Sequence, residues 1–334
     1  MPAAGSSDGT RASRARQKGF QFWPPVSISL HLGKMSHSSE LEIVRFIQEF
    51  RNPILDGFFK FLDFFDRQEF FFVLIPAVWL GKGWKWGLRL FYILFLSSLT
   101  NHALKEFFLS PRPFHIDPSV GIIQVGGYGF PSGAAQTVIL LSGLLLNFWK
   151  SSWKWSVVFF YIVFVSFSRV YLGIHFPTDI LAGWVVGLTL WALFTYVRPA
   201  LEVQLEKLKP LSLFLLSLFV PILLLFWQYS PSLLRSSAYT MGMGAIGIGI
   251  GLFINHSLGW SLAPSKTRKE FVLRAMIGVI GTFLCYFLIA ILPLPKSSFA
   301  MYCKFLFLSL WITTGSLLLC RKLFPSSKFP LKVK

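Results

Sequence analysis

His175 and Asp179 stand four residues apart in Ile-His-Phe-Pro-Thr-Asp. Across a proline turn that spacing lets the carboxylate accept an N–H from the imidazole, which fixes the tautomer and leaves the other ring nitrogen as a nucleophile. Arg169 precedes this pair in the same segment, after Ser168. A second cluster, Lys105-Glu-Phe-Phe-Leu-Ser-Pro-Arg112-Pro113, offers a lysine point charge and an arginine fork, a combination suited to a phosphate dianion. A third, Gly126-Gly-Tyr-Gly-Phe-Pro-Ser132-Gly133, reads as a tight turn into a helix. Ser132 can cap that helix, and the backbone N–H groups near Ser132 and Gly133 would face an anion there. Each cluster alone has a plainer reading: snorkelling cations at the bilayer surface, a helix cap, a loop pair. Two cations, a helix N-terminus, a further arginine and an oriented histidine on one side of the chain's layout together favour an oxyanion site.

The elements that must position these residues are membrane helices. The 334 residues are 54% hydrophobic and 14% charged, against about 25% charged in soluble domains. Apolar runs recur at 70–80, 88–104, 134–149, 157–171, 180–196, 211–227, 238–255, 271–292 and 306–320. Most approach the ~20 residues needed to cross a bilayer, so the expectation is an all-α polytopic protein of about nine spans. Between residues 41 and 65 the apolar positions recur at helical spacing among charged ones, which predicts amphipathic helices lying along the membrane surface.

The net charge of +18 is distributed between apolar runs and not gathered on one face, which argues against a nucleic-acid partner. Lys82, Lys85, Arg89, Lys150, Lys154, Arg198, Lys207, Lys209, Lys266, Arg268, Lys269, Arg274 and the C-terminal basic residues fall on one side. By the positive-inside rule that side is cytoplasmic. The three motif clusters then lie on the extracytoplasmic face of a multi-pass protein of an inner or cytoplasmic membrane.

Residues 1–40 read as a disordered tail without a secretory h-region, and Met35 offers an alternative start. The polar stretch 198–210, ending in a proline, reads as a cytoplasmic linker between a core at 41–197 and a C-terminal transmembrane region at 211–334. Within that region the glycines from Gly242 to Gly251 match a dinucleotide loop by letter only; inside an apolar span they predict close helix packing. Cys285, Cys303 and Cys320 show no metal or redox spacing.

In order, KEFFLSPRP, PSGA and SRVYLGIHFPTD resemble the three-part signature of the type-2 phosphatidic acid phosphatase superfamily. The likeness covers about 54–196 and is to a bacterial-type or sphingosine-phosphate-phosphatase-like member. It implies a metal-free, cofactor-free helical core acting on a lipid phosphate or isoprenoid diphosphate within the bilayer; the apolar runs give that core about five spans, with about four further helices behind it that such a core does not require. It also implies that Lys105, Arg112 and Arg169 bind phosphate oxygens, helped by Ser132 and Gly133. His175, oriented by Asp179, would attack phosphorus to give a phosphohistidine that water hydrolyses.

The chain departs from the signature at Ala134, where the family carries the histidine that protonates the leaving oxygen. A general acid supplies about 10²–10⁴-fold in rate, most of it needed for basic leaving groups. A phosphate leaving from a diphosphate needs little protonation, so a natural alanine points to a polyprenyl diphosphate or a similar substrate. Three alternatives stay open here: an engineered change at Ala134, a proton from His115, or a non-catalytic lipid-phosphate-binding or lipid-moving protein on the same scaffold.

Overall fold

A computed structural model describes residues 37–148, 151–225, 232–291 and 298–325. Of the tail expected at 1–40, residues 1–36 lie outside the described residues, and a helix already starts at Ser38. This α1 (Ser38–Glu49) and α2 (Pro53–Leu62) are the amphipathic pair expected from the sequence. Asn52 separates them because its side-chain oxygen accepts the Leu55 amide at 3.0 Å, capping α2. A 3₁₀ turn, Asp63–Asp66, leads into α3 (Gln68–Gly81).

The apolar runs then fold as α4 (Trp84–Phe108), α6 (Gly133–Phe148), α7 (Lys154–Tyr171), α8 (Pro177–Leu205), α9 (Pro210–Leu225), α10 (Ser232–Ser257) and α11 (Arg268–Ile291). The last run forms α12 (Ser298–Leu310), a π-helical turn (Trp311–Gly315) and α13 (Ser316–Leu323); a short α5 (Pro113–Ile116) lies between α4 and α6. No strand occurs among the described residues. Four helical stretches, Lys154–Tyr171, Pro177–Leu205, Arg268–Ile291 and Tyr302–Leu323, are long and apolar enough to cross a membrane. The apolar helices α3, α6 and α9 are shorter, and the 25-residue α4 carries Lys85, Arg89, Lys105 and Glu106 towards its ends.

The polar segment expected at 198–210 begins inside α8. That helix continues past Pro199 to Leu205, where Glu202 accepts from Arg89 at 2.7 Å and from Arg198 at 3.2 Å. The chain leaves helical structure only over 206–209.

Two glycines set the packing around the site. Gly183 and Gly187, one turn apart on α8, face α6 so closely that a Cβ would meet Ser132 O at 2.5 Å and Gln136 O at 2.7 Å. This is the small-residue contact that lets membrane helices approach when no hydrophobic effect draws them together. Helices α10 to α13 pack on the far side, against α3 and α4. There Trp79, Leu80, Phe91 and Phe95 share one core with Ala245, Ile248, Ile312 and Leu317.

Candidate active site

The loops that end α4 and begin α6 and α8 meet at one place. The α6 N-terminus is fixed there by the Ser132 amide, which donates to Asp179 O at 2.9 Å, and by Ser132 Oγ, which accepts the Ala135 amide at 3.4 Å. Ser132 is thus the cap expected from the sequence. Its neighbour Pro131 is held by Asn101 on α4, whose amide donates to Pro131 O at 3.2 Å and to Gln136 Oε1 at 3.1 Å. Gln136 in turn donates to Ser97 Oγ at 2.6 Å, so a buried amide network ties α4 to the first turn of α6. Helix geometry leaves the amides of Gly133 and Ala134, in that first turn, without an intrahelical acceptor.

His175 follows the end of α7 in a turn that only glycine allows. Gly173 has φ +71°, and a Cβ there would meet Val120 O at 1.9 Å. His175 is 4% exposed, and its Nδ1 lies 3.2 Å from Asp179 Oδ2. That same carboxylate oxygen accepts the Phe176 amide at 2.9 Å, so Asp179 is anchored at the start of α8 before it orients the ring. Its Oδ1 has no hydrogen-bond partner among the described residues. Burial, reinforced by the positive field of Arg112, Lys105 and Arg169, holds the imidazole well below its usual pKa. The ring is therefore neutral at physiological pH. With Nδ1–H donated to Asp179, the lone pair sits on Nε2.

Arg112 NH1 lies 3.2 Å from that Nε2 and donates to it. The rest of the guanidinium is spread over backbone carbonyls: Nε to Gly127 O at 2.9 Å, NH1 to Ile174 O at 2.8 Å, NH2 to Gly126 O at 3.1 Å. Burial lowers its pKa to about 10, which leaves it charged at neutral pH. Lys105 closes the same loop, donating from Nζ to Tyr128 O at 2.6 Å and to Gly129 O at 3.3 Å. The fold thus brings Lys105, Arg112, Ser132, His175 and Asp179 to one place.

Arg169 is placed differently from its neighbours. It is 1% exposed, and its NH1 donates to Asp63 Oδ1 at 2.7 Å, with Asp66 Oδ2 at 3.8 Å. From the residues alone these two aspartates are only polar positions at the end of an amphipathic helix. Their three-residue separation on one side of a short 3₁₀ turn is the only local signal they carry. Burial pushes the Asp63 carboxyl upwards, but Arg169 and Arg67 outweigh it and hold the group below the usual range. Asp66 goes the other way: burial raises it despite Arg169, Lys105 and Arg112 nearby.

His115 does not point its Nδ1 towards the site, because that atom accepts the Arg112 amide at 3.2 Å. Glu40 of α1 accepts the Thr178 amide at 2.9 Å, placing a carboxylate at the N-terminus of α8. Ala134 is 2% exposed, its methyl group enclosed at the start of α6.

Residues 86–202 match the PAP2 superfamily. The chain is 26% identical over 190 residues to an undecaprenyl-diphosphatase of Sulfolobus acidocaldarius, a match covering 56% of this chain and 87% of the relative. It is 27% identical over 253 residues to a dihydrosphingosine 1-phosphate phosphatase of Saccharomyces cerevisiae, covering 69% of this chain and 61% of that protein. In three dimensions it is similar to a PAP2-type phosphatidylglycerolphosphate phosphatase of Bacillus subtilis, with 22% identity and a TM-score of 0.43 over 53% of this chain and 91% of the other.

Proposed function

The chain carries a PAP2 superfamily domain at residues 86–202, and on that premise we propose that it is a membrane lipid phosphatase acting through a phosphohistidine at His175. The observation that carries this reading is the contact between His175 Nε2 and Arg112 NH1 at 3.2 Å, with Asp179 fixing the opposite ring nitrogen. A nucleophile and a phosphate-binding fork share one point in space. When a phosphoryl group enters, Arg112 NH1 transfers its hydrogen bond from Nε2 to a phosphate oxygen, which frees the lone pair at the moment the electrophile arrives.

Lys105 and Arg112 also brace the 126–129 loop, so the cations are pre-positioned and little reorganisation is needed as charge develops. The first-turn amides of α6 add donors without adding bulk. In-line attack by Nε2 then expels the lipid moiety, and water hydrolyses the P–N bond. The substrate is a lipid phosphate or a polyprenyl diphosphate in the bilayer, approached from the extracytoplasmic face. Because Ala134 supplies no proton, a diphosphate, whose leaving phosphate is weakly basic, places the smallest demand on the site.

The absence of a histidine at position 134 also favours a second reading, a lipid-phosphate-binding protein that does not turn over. Phosphate release by the purified protein in detergent, compared with His175→Ala and Ala134→His, separates the two. Release that depends on His175 is expected. Release that is undetectable, or unchanged in His175→Ala, rejects the catalytic reading.

A further inference from the structure

We infer that Asp66 is a further catalytic residue of this site, the acid that protonates the leaving oxygen in place of the side chain missing at Ala134. The inference rests on the phosphatase reading above and assigns a group to the one step that reading leaves unserved.

The geometry singles out Asp66 among the carboxylates. Asp179 is committed to His175 and the Phe176 amide. Asp63 accepts from Arg169 and from Arg67, both at 2.7 Å, so it is locked as an anion. Asp66, at the other end of the same 3₁₀ turn, lies 3.8 Å from Arg169, and its side chain remains 38% exposed where Arg169 is 1% exposed. Lys105 and Arg112, whose positive field also acts on His175, act on Asp66 as well, so its carboxyl adjoins the same cationic cluster.

The charged and titratable groups around Asp66 are Arg169 and Tyr161 of α7, Lys105 of α4, Arg112 of the α4–α5 loop and Asp63 of its own turn. Burial already favours its protonated form. An entering phosphate adds negative charge to the same cluster and favours that form further. Two carboxylates whose surroundings push them apart, Asp63 downwards and Asp66 upwards, are the usual arrangement in which the raised one acts as the acid.

The proton balance closes. His175 Nε2 bonds to phosphorus as the bond from phosphorus to the leaving oxygen breaks; that oxygen keeps the electron pair and takes the Asp66 proton. The Asp66 carboxylate then takes a proton from water as the water oxygen bonds to phosphorus. The P–N bond breaks with its electrons returning to Nε2, and both residues are restored.

Leaving-group dependence provides the test. Purified enzyme and Asp66→Asn are compared on phosphatidic acid, which expels a basic alkoxide, and on p-nitrophenyl phosphate, which expels a weakly basic phenolate. Asp66→Asn is expected to lower kcat/KM about 10²-fold on the first and less than about threefold on the second. It should also abolish the fall in phosphatidic acid cleavage with rising pH. Asp66→Glu, which keeps the acid, should recover part of the loss and guards against a folding artefact. Equal losses on both substrates would show that Asp66 only holds Arg169. An unaffected Asp66→Asn, or a wild type that cleaves p-nitrophenyl phosphate but not phosphatidic acid, equally overturns the assignment. His175→Ala run alongside distinguishes these results from failure of the phosphatase reading, since only that failure leaves His175→Ala active.

Discussion

Arg112 and Arg274 are both buried arginines, one at the candidate site and one in the C-terminal bundle, and they use their donors to different ends. Arg112 divides its donors among Gly126, Gly127 and Ile174 carbonyls and then offers NH1 to a titratable ring nitrogen. Arg274 donates to Ala263 O at 2.7 Å, to Leu80 O at 3.4 Å and to Glu270, and lies over the Phe324 ring. Its bonds run between α11, the loop before it and the end of α3, and none reaches a group that could react. The glycines divide in the same way. Gly183 brings α8 against Ser132, the residue that aims the α6 N-terminus, whereas Gly247 brings α10 against Leu306 O and Gly251 brings it against Thr313. Equal burial therefore does not mark function; a buried cation belongs to chemistry when its last free donor meets a nucleophile.

The strongest way to break this contrast is at the nucleophile. His175→Ala should lower phosphate release by about 10³-fold or more and abolish labelling of the protein by ³²P-phosphate transferred from substrate. A variant that still labels would remove His175 from the mechanism. The next largest effect separates the two arginines. Arg112→Lys should cost about 10²-fold in kcat/KM, because a lysine cannot reproduce a fork that spans three carbonyls and the ring. Arg274→Met should instead lower stability by about 3–5 kcal/mol, by taking from the Glu270 carboxylate the buried cation beside it, with the rate per folded molecule unchanged. Thermal unfolding in detergent, with activity measured on the folded fraction, reads both.

A smaller effect sharpens the glycine comparison. Gly183→Val and Gly247→Val should each cost about 1–3 kcal/mol by overpacking. Only Gly183→Val should also slow the folded enzyme, by about tenfold, since it displaces Ser132 and with it the α6 amides. The smallest expected effect is an absence of change. His175 is held well below the usual imidazole pKa, so it stays neutral and nucleophilic as pH falls through the range where an ordinary histidine protonates. The kcat for p-nitrophenyl phosphate should therefore change less than about twofold between pH 7 and pH 6. A steep loss over that interval would mean that the ring titrates normally and is not buried among cations.

Much of this arrangement was legible in the residues themselves. Apolar runs can only be satisfied in a bilayer as helices, and within the described residues each such run is helical. The glycines from Gly242 to Gly251 are a packing face in α10, as their setting in an apolar span required. His175 and Asp179 were readable as a pair because both sit within one turn, where spacing fixes distance. Asn101 and Gln136 were not singled out, since their bond joins residues far apart in the chain and leaves no local pattern.

The linker expected at 198–210 shows the limit of reading polarity as a break. Glu202 is polar there because it accepts from both Arg198 and Arg89 along a continuing helix. What the sequence determined by itself is the class of structure and the local chemistry: membrane helices, a capped helix start at Ser132, an oriented histidine and nearby cations, all set by periodicity and short spacing. The tertiary structure alone decided which carboxylate faces which cation. Arg169 meets Asp63 across 106 residues of chain, and the same turn that supplies this partner brings Asp66 to 3.8 Å from that arginine. Such pairings depend on how α2, α6 and α7 pack, and helix packing is settled by the whole surface of each helix and not by any short run of residues.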